Sequence, residues 1–186
     1  MKAVDRLLQR WRIGVVRPYL GPGSRVCDIG CAEGGTLYRA IPHLADGVGL
    51  DPDLVAPGAV GTNRLLPGLF PDDLPDDRPF DAITMLAVLE HIPADRQAPL
   101  AADCTRHLKP GGRLLITVPA PAVDRILDLL RTLRLIDGMN LEQHYGFEVA
   151  QTPAIFGGAG LSLEKSRRFQ LGLNNLFVFR KPEDSK

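Results

Sequence analysis

Strand-like apolar runs recur along this chain at intervals that leave room for one helix or one loop between them. RVCDIG, GVGLD, NRLLPGLF, FDAITML and RLLITVP read as strands, and TLYRAIPHLA and ADRQAPLAADCTRHL read as helices between them. Strands alternating with helices need crossover connections, which are right-handed and lay the strands parallel in a sheet covered on both faces. DLVAPGAVG is at most a stunted helix, and Pro99 bears on where the second helix begins. KPGG places Pro and Gly where a type II turn favours them. The rhythm then breaks: LSLEKSRRFQ and NNLFVFRK are separated only by LGL-type residues. So short a connection can only be a hairpin, so the last strand runs antiparallel to its neighbour.

The 186 residues suffice for one compact domain and are too few for two ordinary ones. Charge is balanced, 22 basic against 22 acidic residues, which argues against nucleic acid as the main partner. No stretch of about 18 apolar residues is available to span a bilayer. The N-terminal MKAVDRLLQRWRIGVV lacks the uninterrupted apolar core of a secretion signal. Three cysteines, Cys27, Cys31 and Cys104, cannot all pair within the chain, so a reducing, cytoplasmic compartment is the simplest expectation. A helix is expected over residues 3–20, with Val4, Leu7, Leu8, Trp11, Val15 and Leu20 near one side. Arg6, Arg10, Arg12 and Arg17 then read as a solvated face.

The chemistry concentrates in VCDIGCAEGG. In open parallel sheets, ligands bind beyond the carboxyl ends of the strands, and Gly30 to Gly35 form the loop there. Glycine lets a ligand approach the backbone and supplies positive φ. A dinucleotide site wants G-x-G-x-x-G, yet the corresponding positions read Gly30, Ala32 and Gly35, without the second glycine. Asp28, two residues before Gly30, would repel a pyrophosphate and suits a cation instead. S-adenosylmethionine (SAM) carries an ammonium and a sulfonium, so the electrostatics favour it over a nicotinamide cofactor. Asp51 ends the second strand 21 residues after Gly30, where a carboxylate can accept hydrogen bonds from both ribose hydroxyls. Cys27 and Cys31 have no further Cys or His nearby in sequence to make a zinc set, and PDDLPDD reads as a solvated loop rather than a cation site. No metal is expected.

VCDIGCAEGG, GVGLDP, FDAITMLAVLEHI and LKPGGRLLITVP, in that order, resemble the successive motifs of class I SAM-dependent methyltransferases, and among these the small-molecule group often labelled type 11. The match covers roughly residues 25 to 120. It implies a Rossmann-like, doubly wound α/β fold: seven strands in the order 3-2-1-4-5-7-6, the last antiparallel, with helices on both faces. The whole chain is then one methyltransferase domain: an N-terminal helix (1–22), a SAM-binding core (23–120), an acceptor-covering segment (121–150), and a helix and hairpin (151–186). By position, Asp28 and the backbone of Gly30 to Gly34, with Cys31 and Ala32 in that loop, would hold the methionine end. Asp51 would hold the ribose, with Pro52 beside it and Leu86 at the end of the fourth strand. The family often has an acid after the third strand for the adenine amino group, and here Leu69 stands in its place. Either the backbone of Leu69 and Phe70 serves the adenine edge, or Asp72 substitutes.

The implied function is in-line transfer of a methyl group from SAM, leaving S-adenosylhomocysteine, to a small-molecule or carrier-linked acceptor. A hydroxyl acceptor benefits from a nearby base. His91, at the end of the fourth strand, and His144, in LEQHYGF, are rival candidates. Val123, Ile126, Leu127, Leu130 and Leu133 mark an apolar face on the covering segment. His43 and His107 are expected at the surface. Two other readings stay open, a SAM-binding partner protein without catalysis and an NAD(P)-dependent oxidoreductase, and the sequence leaves the oligomeric state open.

Overall fold

Apolar, β-branched runs become strands where expected: β1 (Val26–Ile29), β2 (Val48–Asp51), β4 (Asn63–Pro67), β5 (Phe80–Leu86), β6 (Leu108–Pro119), β7 (Ser162–Phe169) and β8 (Asn174–Arg180). A further short strand, β3 (Gly58–Val60), precedes β4. The helices are α1 (Ala3–Val16), α2 (Thr36–Ala40), α3 (Ala94–His107) and α4 (Thr152–Gly158). The structure is a computed structural model, and it describes residues 3–32, 34–120 and 148–183. His144, Tyr145 and the apolar face expected over 123–133 lie outside the described residues.

The strands form one sheet in the order β3-β4-β2-β1-β5-β6-β8-β7. β4, β2, β1, β5 and β6 run parallel, and β8 is antiparallel to both β6 and β7. Setting β3 aside leaves the expected order 3-2-1-4-5-7-6. The eighth strand corrects the stunted helix read in DLVAPGAVG. Gly58-Ala59-Val60 folds back on β4 through a two-residue turn at Gly61-Thr62, with Gly61 at φ +60°.

Side chains alternate across the sheet, so each strand feeds two cores. Cys27, Ile29, Ile83, Met85, Phe177 and Phe179 join Leu89, Ala101, Cys104 and Phe156 on the face covered by α3 and α4. Val26, Ala82, Leu115, Leu176 and Val178 join Ile13, Val16, Leu37 and Tyr38 on the face covered by α1 and α2. Each fully buried Ile, Leu or Phe contributes about 1.5–3 kcal/mol.

The helices depart from expectation for local reasons. α2 stops at Ala40, not Ala45, because Pro42 drives Ile41 out of the helical region, to φ −129° and ψ 73°. α3 begins at Ala94, where the sequence reading starts it, and carries Pro99 inside it at an exposed position. α1 gives way at Val16 to a 3-10 turn, Arg17–Tyr19. Its buried side chains are Ile13, Val15 and Val16, while Leu7 and Trp11 are exposed, which corrects the expected apolar stripe. KPGG is drawn into β6, where the pairing with β5 shifts register and Gly111 takes φ +74°. Among the described residues, no helix is long and apolar enough to cross a membrane.

Candidate functional site

β1 lies between β2 and β5, so the chain leaves it in opposite directions on its two sides, and a crevice opens at the carboxyl ends of these strands. Gly30 turns the chain out of β1 with φ +72°. A Cβ at this position would sit 2.4 Å from Val88 Cγ2, so both the conformation and the space demand glycine. Gly34 and Gly35 also take positive φ, and Ala32 adopts φ +53° without being glycine. Ala32 holds that conformation because its N–H donates to Asp51 Oδ2 at 2.8 Å. The loop after β1 is thereby pinned to the end of β2, where Asp53 N also donates to Asp51 Oδ1 at 3.0 Å. Each carboxylate oxygen of Asp51 retains a lone pair for a further donor.

Asp28 lives in a different setting. It is buried, and Thr84, its neighbour in register on β5, donates Oγ1–H to Asp28 Oδ1 at 2.6 Å. Burial pushes its carboxyl up to about 7, the Thr84 hydrogen bond works against that rise, and Asp51 adds to it. Cys31 is also buried, packed against the backbone of Gly49, with its thiol raised to about 12, mainly by burial. Cys27 sits in the core at 0% exposure, and all three cysteines are free thiols.

Two cavities meet at Gly30. One, of about 170 Å³, is lined by Gln9, Arg12 and Ile13 of α1 together with Asp28, Cys31 and Leu86. The other, of about 600 Å³, has Ile29, Leu50, Val88 and Ile92 as apolar walls and Asp51, Pro52, Asp53 and His91 at its rim. Leu69 and Phe70 line it too, though Leu69 is 59% exposed. The Leu69 N–H donates to Asp73 Oδ2 at 2.8 Å, so this amide is already engaged. Asp72 is exposed and does not line the cavity. His91 closes a 3-10 turn, Leu89–His91, directly after β5. Among the described residues, no group of three His, Cys, Asp or Glu side chains gathers as a metal site.

Several contributors were not read from sequence. Arg12 was assigned to a solvated face, yet it is half-buried and faces Asp28 across the smaller cavity, while Arg6, Arg10 and Arg17 are exposed. Its position four residues before buried Val16 was the available signal. Ala87 lines the larger cavity at φ +63°, its N–H donating to Thr117 O at 2.8 Å. His107 is buried, not at the surface: Nδ1 lies 2.9 Å from Asp103 O, and Phe70 meets its ring edge-on at 5.3 Å. His43 is half-buried, 3.1 Å from Leu20 O.

A family model described as methyltransferase domain matches residues 2–161. The chain belongs to this family, the class I SAM-dependent methyltransferases, and family and fold together imply SAM as the cofactor. A ubiquinone biosynthesis O-methyltransferase of Xanthomonas campestris is 35% identical over 108 residues, 52% of this chain and 43% of that protein. A probable S-adenosylmethionine-dependent methyltransferase of Mycolicibacterium smegmatis is 28% identical over 151 residues, 75% of this chain and 58% of that one. The chain thus spans about half the length of the curated relatives it matches. A TehB-like SAM-dependent methyltransferase from Corynebacterium glutamicum shares the fold, with TM-score 0.66 and 18% identity over 95% of this chain and 97% of that one.

The residues present fit SAM. A small polar cavity bearing a buried carboxylate and a guanidinium matches the zwitterionic amino acid end. The larger, mainly apolar cavity with a carboxylate at its rim matches a nucleoside.

Proposed function

We propose that this chain transfers a methyl group from SAM to a small-molecule or carrier-linked acceptor by in-line displacement. The observation that carries the reading is the meeting of the two cavities at Gly30, one shaped for an amino acid zwitterion and one for a nucleoside. When bound, SAM supplies a methyl group on a sulfonium, already activated for attack. The protein's task is then to align the acceptor with that methyl and to exclude water.

In this reading Asp28 takes the ammonium of the methionine end and Arg12 its carboxylate. Asp51 accepts from the ribose hydroxyls, with Pro52 beside it, and Ile29, Leu50 and Val88 enclose the adenosine. Ala32 and Gly34 shape the loop, Cys31 supports it from beneath, and Leu86 borders the transferred methyl. The Phe70 N–H and the Leu69 side chain border the adenine. His91 stands where a base would take the acceptor's proton as the new bond to carbon forms. His144 is its rival within the covering segment, 121–150, of a single methyltransferase domain. The free thiols Cys27, Cys31 and Cys104 support a reducing, cytoplasmic setting.

Calorimetric titration with S-adenosylhomocysteine, run beside NAD and NADP, tests the reading. Saturable binding of S-adenosylhomocysteine alone is expected, followed by label transfer from radioactive SAM to an acceptor pool. Binding of a nicotinamide nucleotide in its place would overturn it.

A further inference from the structure

A second feature of the sheet's carboxyl edge has no part in holding the cofactor. A cavity of about 510 Å³ lies between the start of α4 and the β7-β8 hairpin. Its floor is apolar, built by Ala120, Val149 and Phe177. Its polar lining is Ser166, Arg167, Arg168 and Asn175, and among the described residues none that lines it is acidic.

The carboxylates nearest in the chain are already engaged: Glu148 accepts from Gln151 at 2.7 Å, and Glu164 accepts from Arg113 at 2.8 and 3.2 Å. Among the described residues, Arg167 and Arg168 make no ion pair and the Asn175 side-chain amide makes no hydrogen bond. Asn175 is only 9% exposed, and its amide lines the cavity. Arg168 pairs with Asn175 and Ser166 with Phe177, so the Arg168 guanidinium, the Ser166 hydroxyl and the Asn175 amide share the face of the hairpin that borders the cavity, whereas Arg167, opposite Leu176, stands on the other. Together the three present donors in excess of acceptors, the arrangement that recognises a carboxylate or phosphate.

The cavity is also level with the proposed chemistry. Asn175 pairs with Val118 on β6, and Leu86 pairs with Thr117, the adjacent residue of the same strand. β8 stands two strands from β5, a separation of about 10 Å. A small molecule can span that distance.

From this juxtaposition we infer that the cavity is a subsite for an acceptor bearing a carboxylate or phosphate on an apolar body, the anion held by Arg168, Ser166 and Asn175. The inference rests on the methyl-transfer reading and narrows its acceptor class. The apolar body lies on Phe177 and Val149, and the atom to be methylated reaches over the end of β5 toward His91.

The test uses octanoate and inorganic phosphate as probes of the 15N-labelled chain. Octanoate should shift the Asn175 side-chain amide resonances saturably, with phosphate binding much more weakly. Arg168→Glu should weaken octanoate by about tenfold or more, whereas Arg167→Glu, equally exposed but on the other face of β7, should change it by less than about threefold. No saturable shift, an unchanged affinity in Arg168→Glu, an equal loss in the two variants, or phosphate binding as tightly as octanoate would each overturn the subsite, the last leaving an adventitious ion only. Calorimetry with S-adenosylhomocysteine on the same variants should give the wild-type affinity, showing that they fold. A wild-type chain that binds octanoate as expected but never S-adenosylhomocysteine would sink the methyl-transfer reading and leave the anion subsite standing.

Discussion

Asp28 and Asp51 end neighbouring strands of one sheet, yet they work in opposite physical regimes. Asp28 is buried, it accepts a hydrogen bond from the Thr84 hydroxyl, and lack of water pushes its carboxyl up to about 7. Asp51 is half-buried and held by two backbone amides, those of Ala32 and Asp53. The first is a charge that waits for a counter-charge. The second is an oriented acceptor whose partners are prepaid by the backbone, so it reads hydroxyl geometry more than charge. One side chain type thus does two jobs, and the surroundings decide which.

Gly30, which borders both regions, offers the largest perturbation. Gly30→Ala brings a Cβ to 2.4 Å from Val88 at φ +72° and should lower stability by about 2–4 kcal/mol, read by thermal or urea unfolding. S-adenosylhomocysteine affinity should be lost with it, since both cavities deform.

Next comes the acceptor itself. Asp51→Ala should weaken S-adenosylhomocysteine by about thirtyfold or more, measured by calorimetry, and Asp51→Asn, uncharged but still an acceptor, should recover part of that affinity. A loss in Asp51→Asn as large as in Asp51→Ala would mean that Asp51 acts as a charge, and the contrast with Asp28 would collapse.

Asp28 should show the reverse pattern. Only its carboxylate attracts an ammonium, so wild-type affinity should fall as pH drops below about 7, approaching about tenfold per unit. Asp28→Asn should bind more weakly at pH 8 and show a flat profile. Without ligand, the raised value means that the protonated acid favours the folded state. That contribution is fully present below the ordinary value of 3.8 and is lost as pH rises through about 7. Asp28→Asn should therefore raise the melting temperature of the ligand-free protein at pH 8.

A finer change sharpens the same contrast. Thr84→Val removes the hydroxyl that opposes the upward shift, so the midpoint of the binding profile should move to higher pH, and Thr84→Ser should restore it. An unmoved midpoint would show that the 2.6 Å contact has no bearing on ionisation. The smallest effect belongs to Leu69→Ala, expected to change affinity by less than about threefold because 59% of the side chain stays in water.

The strand scaffold was legible because its residues obey local rules. Phe80–Leu86 and Val48–Asp51 are apolar runs bounded by loops, and the tight β7-β8 connection fixed an antiparallel finish. What escaped depends on partners distant in sequence. β3 is a strand only because β4 pairs with it, since Gly58-Ala59-Val60 has little strand preference of its own. Arg12 lines the cavity beside Asp28 and Leu37, and only its place four residues before buried Val16 sets it apart from Arg6 and Arg10. His107 is buried because Phe70 comes to meet it. In the site, Asp28, Gly30 and Asp51 could be found from motif and spacing, whereas Thr84, Val88 and Ala87 reveal themselves only once β5 lies beside β1.

The outermost strand among the described residues, β7, is exposed along almost its whole length, from Ser162 to Arg168, and among those residues no strand pairs with its outer edge. Glu164, Lys165, Arg167 and Arg168 crowd that edge with charge, which discourages a second sheet from docking there. The arginines that line the anion cavity therefore also guard the molecule's solubility. Any redesign that trades them for apolar residues to admit a neutral substrate would expose a sticky edge, and selection at this position must serve colloidal stability and ligand choice together.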